Sequence, residues 1–429
     1  MRTVSKTVIG VDFGTQSARA VLVNAENGEI IYSCRKEYPY NSTPVPAIDC
    51  AENLPCATDY EMTLYELLRN VIPEEYRKTV AGICIDATSL TMVLLAEDGR
   101  ALSELDGWSE AAHARVKLWK YHRAQEKADE ALNLASNLQE PFLGRTGGSI
   151  SCEWMLPKLL EVRDEAPEIY SKIDLAMDLC EFLTFRLTGQ LVRSIGSLSY
   201  KCLWAEDLSF PERTFLNGLR AGFYEEYCHF LRGDVRKPGE CAGMLRSELT
   251  KRWGLPEQIP VATGMLDGHT SLATMGAFEP GDAALIVGTS NVCTVQDRKL
   301  QELKDVCGVA QEGMVTGSCG IDTGQSSTGN MLGWFVEHMA GWQIHREAEE
   351  RKISPHQVLA ERIQKPWENK VIAVDWWSGS RNAPCDLTLR GSMSGLEMDT
   401  KTEDIYLALL QAIACGTGTI LESLSGQGV

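Results

Sequence analysis

Asp267 stands in the run Gly264-Met-Leu-Asp267-Gly-His-Thr-Ser-Leu-Ala-Thr-Met-Gly276, between glycines and ahead of small and apolar residues at helical spacing. The pattern predicts a carboxylate held at the entrance of a helix. After Pro280-Gly281 a short apolar run ends in Gly288-Thr289-Ser290-Asn291, a strand delivering a small-residue turn. Such a turn offers backbone N–H groups to an anion such as phosphate. A carboxylate beside a phosphate cradle points to a base that prepares a hydroxyl for attack on a phosphoryl group. A second turn of this kind lies near the start of the chain, in Asp12-Phe-Gly14-Thr15-Gln16-Ser17-Ala-Arg19. It lacks the Gly-Lys-Ser/Thr of a Walker A loop. It reads as a cradle for terminal phosphates, with Asp12 turned towards a magnesium ion through water, or as a tight hairpin needing glycine for backbone reasons. The acid at the end of an otherwise apolar strand favours the cradle, because a carboxylate buried without a partner is costly.

Three further places could touch a substrate. Asp86-Ala87-Thr88-Ser89 closes an apolar strand, and strand ends in α/β sheets face the ligand crevice; the bland alternative is an Asx or Ser/Thr turn. Lys201, in Tyr200-Lys201-Cys202-Leu203-Trp204, either buries its stem and reaches a sugar hydroxyl or snorkels at the surface. Asp322, in Gly320-Ile-Asp322-Thr-Gly324-Gln325-Ser326, suits a polyol pocket, or a turn before a helix starting near Ser327. The tryptophans at 119, 154, 204, 334, 376 and 377 read as core more readily than as sugar platforms.

The elements that must position these residues follow from apolar periodicity. Thr7–Asp12, Ala18–Val23 and Glu29–Arg35 read as a β-meander around the first Gly-Thr turn. Tyr60–Val71 reads as an amphipathic helix, Val80–Thr88 as a buried strand, and Val93–Leu95 as a short strand before Glu97-Asp98-Gly99. Helices are expected over Ala111–Asn137 (one or two), Cys152–Val162 with a kink at Pro157, Ile173–Leu187, Phe210–Glu226 and Ser247–Trp253. Gly144–Gly148 and Val235–Gly243 read as loops. After Pro280 the opening pattern returns: strand, Gly-Thr turn, strand, with the turns 274 residues apart. That repeat implies two related α/β domains facing each other across a cleft, each offering one phosphate turn, with the boundary near Ala277–Pro280.

Composition limits the alternatives. A net charge of −18 without a basic stripe argues against nucleic acid or an anionic membrane as partner. A bound nucleotide must then be held by local dipoles and a cation. The 14 cysteines form no Cys-x-x-Cys pair, and those at 84, 180, 293 and 415 read as buried reduced thiols. The seven histidines form no His-x-x-x-His pair. Met1–Thr7 carries Arg2 and Lys6, but the apolar run after it stops at Asp12, too short for a signal peptide. No stretch reads as long and apolar enough to span a bilayer. The expected location is the cytoplasm.

Several motifs together resemble the FGGY carbohydrate kinases of the actin and hexokinase superfamily. The carriers are Gly10-Val-Asp12-Phe-Gly14-Thr15-Gln-Ser17-Ala-Arg19, Gly264-Met-Leu-Asp267-Gly-His, Val287-Gly288-Thr289-Ser290 and Arg390-Gly391-Ser-Met-Ser-Gly395-Leu396. Within the family the chain looks closest to the ribulokinase group, through Leu118-Trp119-Lys120, Gly147-Gly148-Ser-Ile-Ser-Cys-Glu153-Trp154, Lys201-Cys-Leu-Trp204, Gly324-Gln325-Ser326 and Asp375-Trp376-Trp377-Ser-Gly379-Ser-Arg381. The resemblance implies an α/β fold of two actin-like (ribonuclease H-like) ATPase domains around a cleft, residues 1–277 and 278–429. It implies ATP-dependent phosphorylation of a ketopentose, ribulose first, at its terminal hydroxyl. Asp267 matches the catalytic base and Asp12 the magnesium-side acid. Gly14, Thr15, Gln16, Ser17, Gly288 and Thr289 match the ATP phosphate turns, and Ser89, Lys201, Asp267 and Asp322 the sugar contacts. ATP and Mg2+ are the implied cofactors. Partners are then the small sugar and ATP, and the oligomeric state stays open, a homodimer included. Three departures stand out. The ribulokinase pattern has Glu where Asp322 stands. Tyr121 replaces the acid that normally follows Leu-Trp-Lys. The chain ends at Gly426-Gln-Gly428-Val429 without a Gly-Gly-x-x-x-Asn-like adenine segment, so the second domain reads as incomplete and the chain as C-terminally truncated. Xylulose, another ketose or polyol, or an inactive sugar-binding remnant are the alternatives.

Overall fold

The computed structural model describes residues 5–38, 54–364, 369–381, 386 and 388–429; Arg2 lies outside them. The chain gathers into two compact units. One comprises Met1–Leu143, Ile150–Gly276 and Ala310–Gly320; the other Gly144–Ser149, Ala277–Val309 and Ile321–Val429.

The first unit is built on a mixed sheet. Strands β1 (Thr7–Phe13), β2 (Ser17–Asn24) and β3 (Ile30–Glu37) form the expected antiparallel meander. β4 (Val80–Ala87) then runs parallel to β1, with Asp12 opposite Asp86. Beyond β4 come β8 (Pro260–Ala262) and β7 (Cys241–Met244), giving the order β3-β2-β1-β4-β8-β7, and β9 (Met265–Leu266) also pairs with the end of β4. Alternation in β1 buries Thr7, Ile9, Val11 and Phe13 on one face. Helix α1 (Ala57–Asn70) covers that face with Tyr60, Leu64, Leu67 and Leu68, each contributing about 1.5–3 kcal/mol by leaving water. A second apolar cluster joins Ala128, Ala131 and Ala135 of α2 (Gln125–Leu138) to Leu156, Leu159 and Leu160 of α3 (Met155–Glu165).

Several sequence expectations change here. Helix α2 occupies only the second half of Ala111–Asn137. In the first half Arg115 is buried and donates to the carbonyls of Leu54 and Ser109, which holds the chain in short turns. Pro157 does not kink α3, because it sits in the first turn, where its missing N–H would have no partner. Ile173–Leu187 splits into β6 (Leu175–Asp178), paired with β5 (Met92–Leu95), and α4 (Leu179–Thr188), capped by Gly189 in the left-handed region. Phe210–Glu226 breaks at left-handed Gly222 into Arg213–Leu219 and Phe223–Phe230. Val235–Gly243 is not a plain loop: it overlaps the short strands Asp234–Arg236 and Cys241–Met244.

In the second unit, β10 (Ala283–Val287) and β11 (Asn291–Asp297) form a hairpin around the Gly-Thr turn. The sheet continues through β13 (Cys319–Gln325) to β12 (Gly308–Gln311). Helix α8 (Thr402–Gly426) has 25 residues and a window of mean hydropathy 1.4, so one stretch is long and apolar enough to cross a bilayer, contrary to expectation. Its Tyr406, Leu409 and Ala412 pack with Phe335 and Val358, and its Ile420 and Leu424 with Val295 and Ile321. Those contacts pack one side of the helix onto this unit, while only 28% of its apolar window is buried. Gln325 ties the unit together: its amide donates to Asp375 Oδ2 (2.6 Å) and the Ile413 carbonyl, and its oxygen accepts from Asn291 and Thr417. A Cβ on Gly416 would lie 2.4 Å from that amide nitrogen, so helix and network meet only at glycine.

The thiols depart in part from the buried reading. Cys180 and Cys293 are buried, whereas Cys84 and Cys415 are exposed; all four are free.

Candidate active site

Two parallel strands and a helix entrance bring three acids together in the first unit. The β1–β4 register sets Asp12 beside Asp86, and Met265 pairs opposite Asp86 two residues before Asp267. Asp267 opens helix α6 (Asp267–Met275), as expected. The approach depends on Gly264, where a Cβ would lie 2.8 Å from the Cys180 carbonyl oxygen.

The Asp267 carboxylate accepts from its own helix through the Gly268 N–H (2.7 Å) and from the Ser89 N–H (3.4 Å). Burial lifts its pKa to about 6; the Gly268 and Ser89 amides oppose that rise, Asp12 adds to it, and Lys201 lowers it. Asp86 is pushed well above the usual carboxylate range, by burial first and then by Asp12 and Asp267, with a side-chain hydrogen bond to Asp12. Asp12 is not the unpartnered buried acid the sequence argument assumed. It is partly exposed, and the cross-strand Arg19 lies 3.9 Å away. Among the described residues no group of three or more His, Cys, Asp or Glu side chains forms a closed metal cage. Magnesium does not need one, since it binds through one or two carboxylates, water and phosphate oxygens. Two adjacent acids joined by a hydrogen bond, Asp12 and Asp86, fit such an ion.

Ser89 follows β4 on a turn whose next residue, Leu90, has φ of 64°. Its Oγ is buried with no hydrogen-bond partner, an open position for a substrate hydroxyl. Lys201 is 5% exposed, which removes the snorkelling alternative. Its ammonium acts electrostatically on Asp267.

The first turn is latched from several sides. Gly14 donates to the Ser17 carbonyl (3.1 Å), Tyr38 donates its hydroxyl to the Gly14 carbonyl (2.9 Å), and Arg35 donates to the Ser17 hydroxyl (3.0 Å). Thr15 accepts from the indole of Trp119 at 3.1 Å, so this tryptophan serves the turn rather than the core alone. Gln16 is exposed at its tip. In the second unit the Gly288 N–H likewise donates to the Ser290 carbonyl, and Gly288 and Thr289 are exposed. The amides of Gly14 and Gly288 are thus spent inside their own turns rather than open to an anion. Thr328 clamps the second turn through its hydroxyl on the Gly288 carbonyl (2.9 Å). Asp322 lies in the second unit, inside buried β13 rather than in a turn before a helix. Tyr121, where an acid was expected, is buried and donates to Glu161 (2.8 Å) beside buried Lys117.

Asp12, Ser89, Lys201 and Asp267, with the turn from Gly14 to Ser17, therefore share one unit, while Gly288, Thr289 and Asp322 belong to the other. Sequence reasoning put Asp86 in a strand-end segment facing the crevice but gave it no role of its own beside Asp12. Trp119 and the residues holding Leu90 carried no such strand-end signal.

Comparison with known proteins identifies the family. The profile of the FGGY family of carbohydrate kinases, N-terminal domain, matches residues 7–274, and that of its C-terminal domain matches 283–429. Among curated proteins, a ribulokinase of Halalkalibacterium halodurans is 33% identical over 99% of this chain and 77% of its own length. A ribulokinase of Mycolicibacterium smegmatis is 36% identical over the same shares. Among solved structures, a xylulose kinase of Rhodospirillum rubrum superposes with a TM-score of 0.75 at 20% identity, over 99% of this chain and 80% of its own. A glycerol kinase of Plasmodium falciparum gives 0.75 at 16% identity, over 98% and 79%. The expected C-terminal truncation is not borne out: the C-terminal profile matches through residue 429. With both profiles matched along its length, the chain belongs to the FGGY family of carbohydrate kinases and is a sugar kinase.

Proposed function

We propose that this kinase transfers the γ-phosphoryl group of ATP to the terminal hydroxyl of a ketopentose, ribulose first, with Asp267 as general base. The observation that carries the reading is the Asp267 carboxylate. It is held at a strand end by two amides, lifted to about 6, and faces a site with buried Lys201 and the unpartnered Ser89 hydroxyl. A base near neutrality takes a hydroxyl proton efficiently and stays ionised at physiological pH. Lys201 and Ser89 orient the sugar, so that positioning supplies much of the rate. Asp12, with Asp86 beside it, would hold Mg2+ through water, and the ion neutralises charge on the transferring group. The reading assigns the turns of Gly14, Thr15, Gln16, Ser17, Gly288 and Thr289 to ATP phosphates, through groups other than the Gly14 and Gly288 amides, and Asp322 to the sugar. Its support for ribulose is the likeness to curated ribulokinases. The shorter acid at 322 favours a second reading, another ketose or polyol, since one methylene changes the reach to a hydroxyl. An ATP-dependent reaction of this kind places the enzyme in the cytoplasm.

Coupled ADP release over a panel of pentuloses, hexuloses and polyols decides between the readings. L-Ribulose should give the highest kcat/KM. A faster hexulose or polyol would replace it, and no sugar-dependent ADP release with any of them would sink the reading. Asp267→Asn should bind sugar as before and lose roughly two to four orders of magnitude in kcat.

A further inference from the structure

The peptide after Ser89 is held in an unusual way. Leu90 has φ of 64°, in the left-handed region, which a leucine enters only at a cost of about 1–2 kcal/mol. Both polar groups of this residue are clamped from below. Its N–H donates to Asp178 Oδ2 (3.1 Å), and its carbonyl accepts from Lys158 Nζ (2.6 Å). Lys158 is 0% exposed, and its ammonium reaches two more carbonyls, Leu118 at 2.9 Å and Lys117 at 3.3 Å. No carboxylate among the described residues lies within ion-pair distance of it. Its three protons go to backbone oxygens of two loops. One loop carries Ser89, whose amide reaches Asp267. The other carries Trp119, whose indole reaches Thr15 of the first turn.

A buried ammonium with no carboxylate in ion-pair distance, balanced only at longer range by Glu153 and Asp178, is expensive, and an apolar residue of similar volume would serve the core better. The stabilising alternative is not what stands here. We infer that Lys158 and Asp178 are positioning residues for phosphoryl transfer: together they fix the strained Ser89-Leu90 turn against the base and, through Lys158, tie it to the loop that latches the phosphate turn. Neither touches substrate. Asp178 sets the N–H side of Leu90, at the entrance of α4, and Lys158 on α3 sets the carbonyl side. The turn cannot relax to a right-handed conformation without breaking one of these bonds.

The inference rests on the proposed role of Asp267, so its test includes a measurement that does not need activity. Lys158→Met keeps length and removes the ammonium. Asp178→Ala removes the acceptor, and Asp178→Asn retains one. In Lys158→Met and Asp178→Ala, amide hydrogen exchange at Ser89–Thr91 should speed up, while Thr7–Phe13 stays protected. With the preferred sugar, kcat should fall ~10- to 100-fold, the KM for ATP should hold, and Asp178→Asn should restore kcat. If Lys158→Met does not fold, the Asp178 pair carries the same comparison. Unchanged exchange at Ser89–Thr91 in the folded variants overturns the clamp, whatever the activity. A fall in melting temperature with kcat per folded site unchanged overturns the catalytic part. Absence of any sugar phosphorylation by the wild-type enzyme would instead overturn the proposed function, with exchange still deciding the clamp.

Discussion

Asp267 has two effects that can be separated by pH. As the proposed base it must be ionised. With its pKa raised from 3.8 to about 6, kcat/KM should fall as pH drops through about 6. Magnesium near Asp12 would move that limb lower. Removing a cation moves it the other way, so Lys201→Met should carry the acid limb to higher pH. The same shift costs stability. The folded state keeps a proton between 3.8 and about 6 that the unfolded chain has lost, so this contribution to stability falls as pH rises through that window. At pH 8 the ionised, part-buried carboxylate is a net burden of about 1–2 kcal/mol after allowance for its partial exposure. Asp267→Asn should therefore melt above the wild type at pH 8, and the gain should vanish near pH 4. An equal gain at both values would show that the carboxylate is not desolvated.

At the scale of elements, the site depends on where a strand may approach a helix. Gly264 lies against the first turn of α4, and the next residues pair with β4 and end at the base. Gly264→Ala places a Cβ 2.8 Å from a backbone oxygen, which cannot swing away as a side chain could. The cost should be about 1–3 kcal/mol in a denaturant midpoint, with kcat reduced because Asp267 moves too. A normal midpoint and normal kcat would mean that α4 yields freely. The helices the sequence misjudged share one cause. Ile173–Leu187 has an unbroken apolar pattern, yet its first third pairs with β5 and becomes strand. Short apolar runs do not separate buried strand from buried helix; the partner decides.

At the scale of the molecule, each compact unit has apolar clusters of its own. Leu409, 0% exposed in α8, belongs to the second. Leu409→Ala should cost about 2–4 kcal/mol. Calorimetry should show a displaced transition for the second unit and one left in place for the first. If the whole unfolding profile shifts together, the units unfold as one body.

The sequence by itself determined the local features: a carboxylate at a helix entrance, two Gly-Thr turns between strands, and a meander that must present the first of them. Those features are local, since turn residues, alternation and helix spacing act over a few positions. The candidate positions at Asp267, Ser89, Lys201 and the first turn could be picked out for that reason. Only the tertiary structure decided that Asp86 stands beside Asp12, because a strand register between residues 74 positions apart sets that pair. It also decided that Trp119 serves Thr15, and that Tyr121 is spent on Glu161. Lys158 shows the limit most clearly. On α3 it reads as an ordinary helical lysine, and its place under the Ser89 turn exists only when two loops bring three carbonyls to one ammonium.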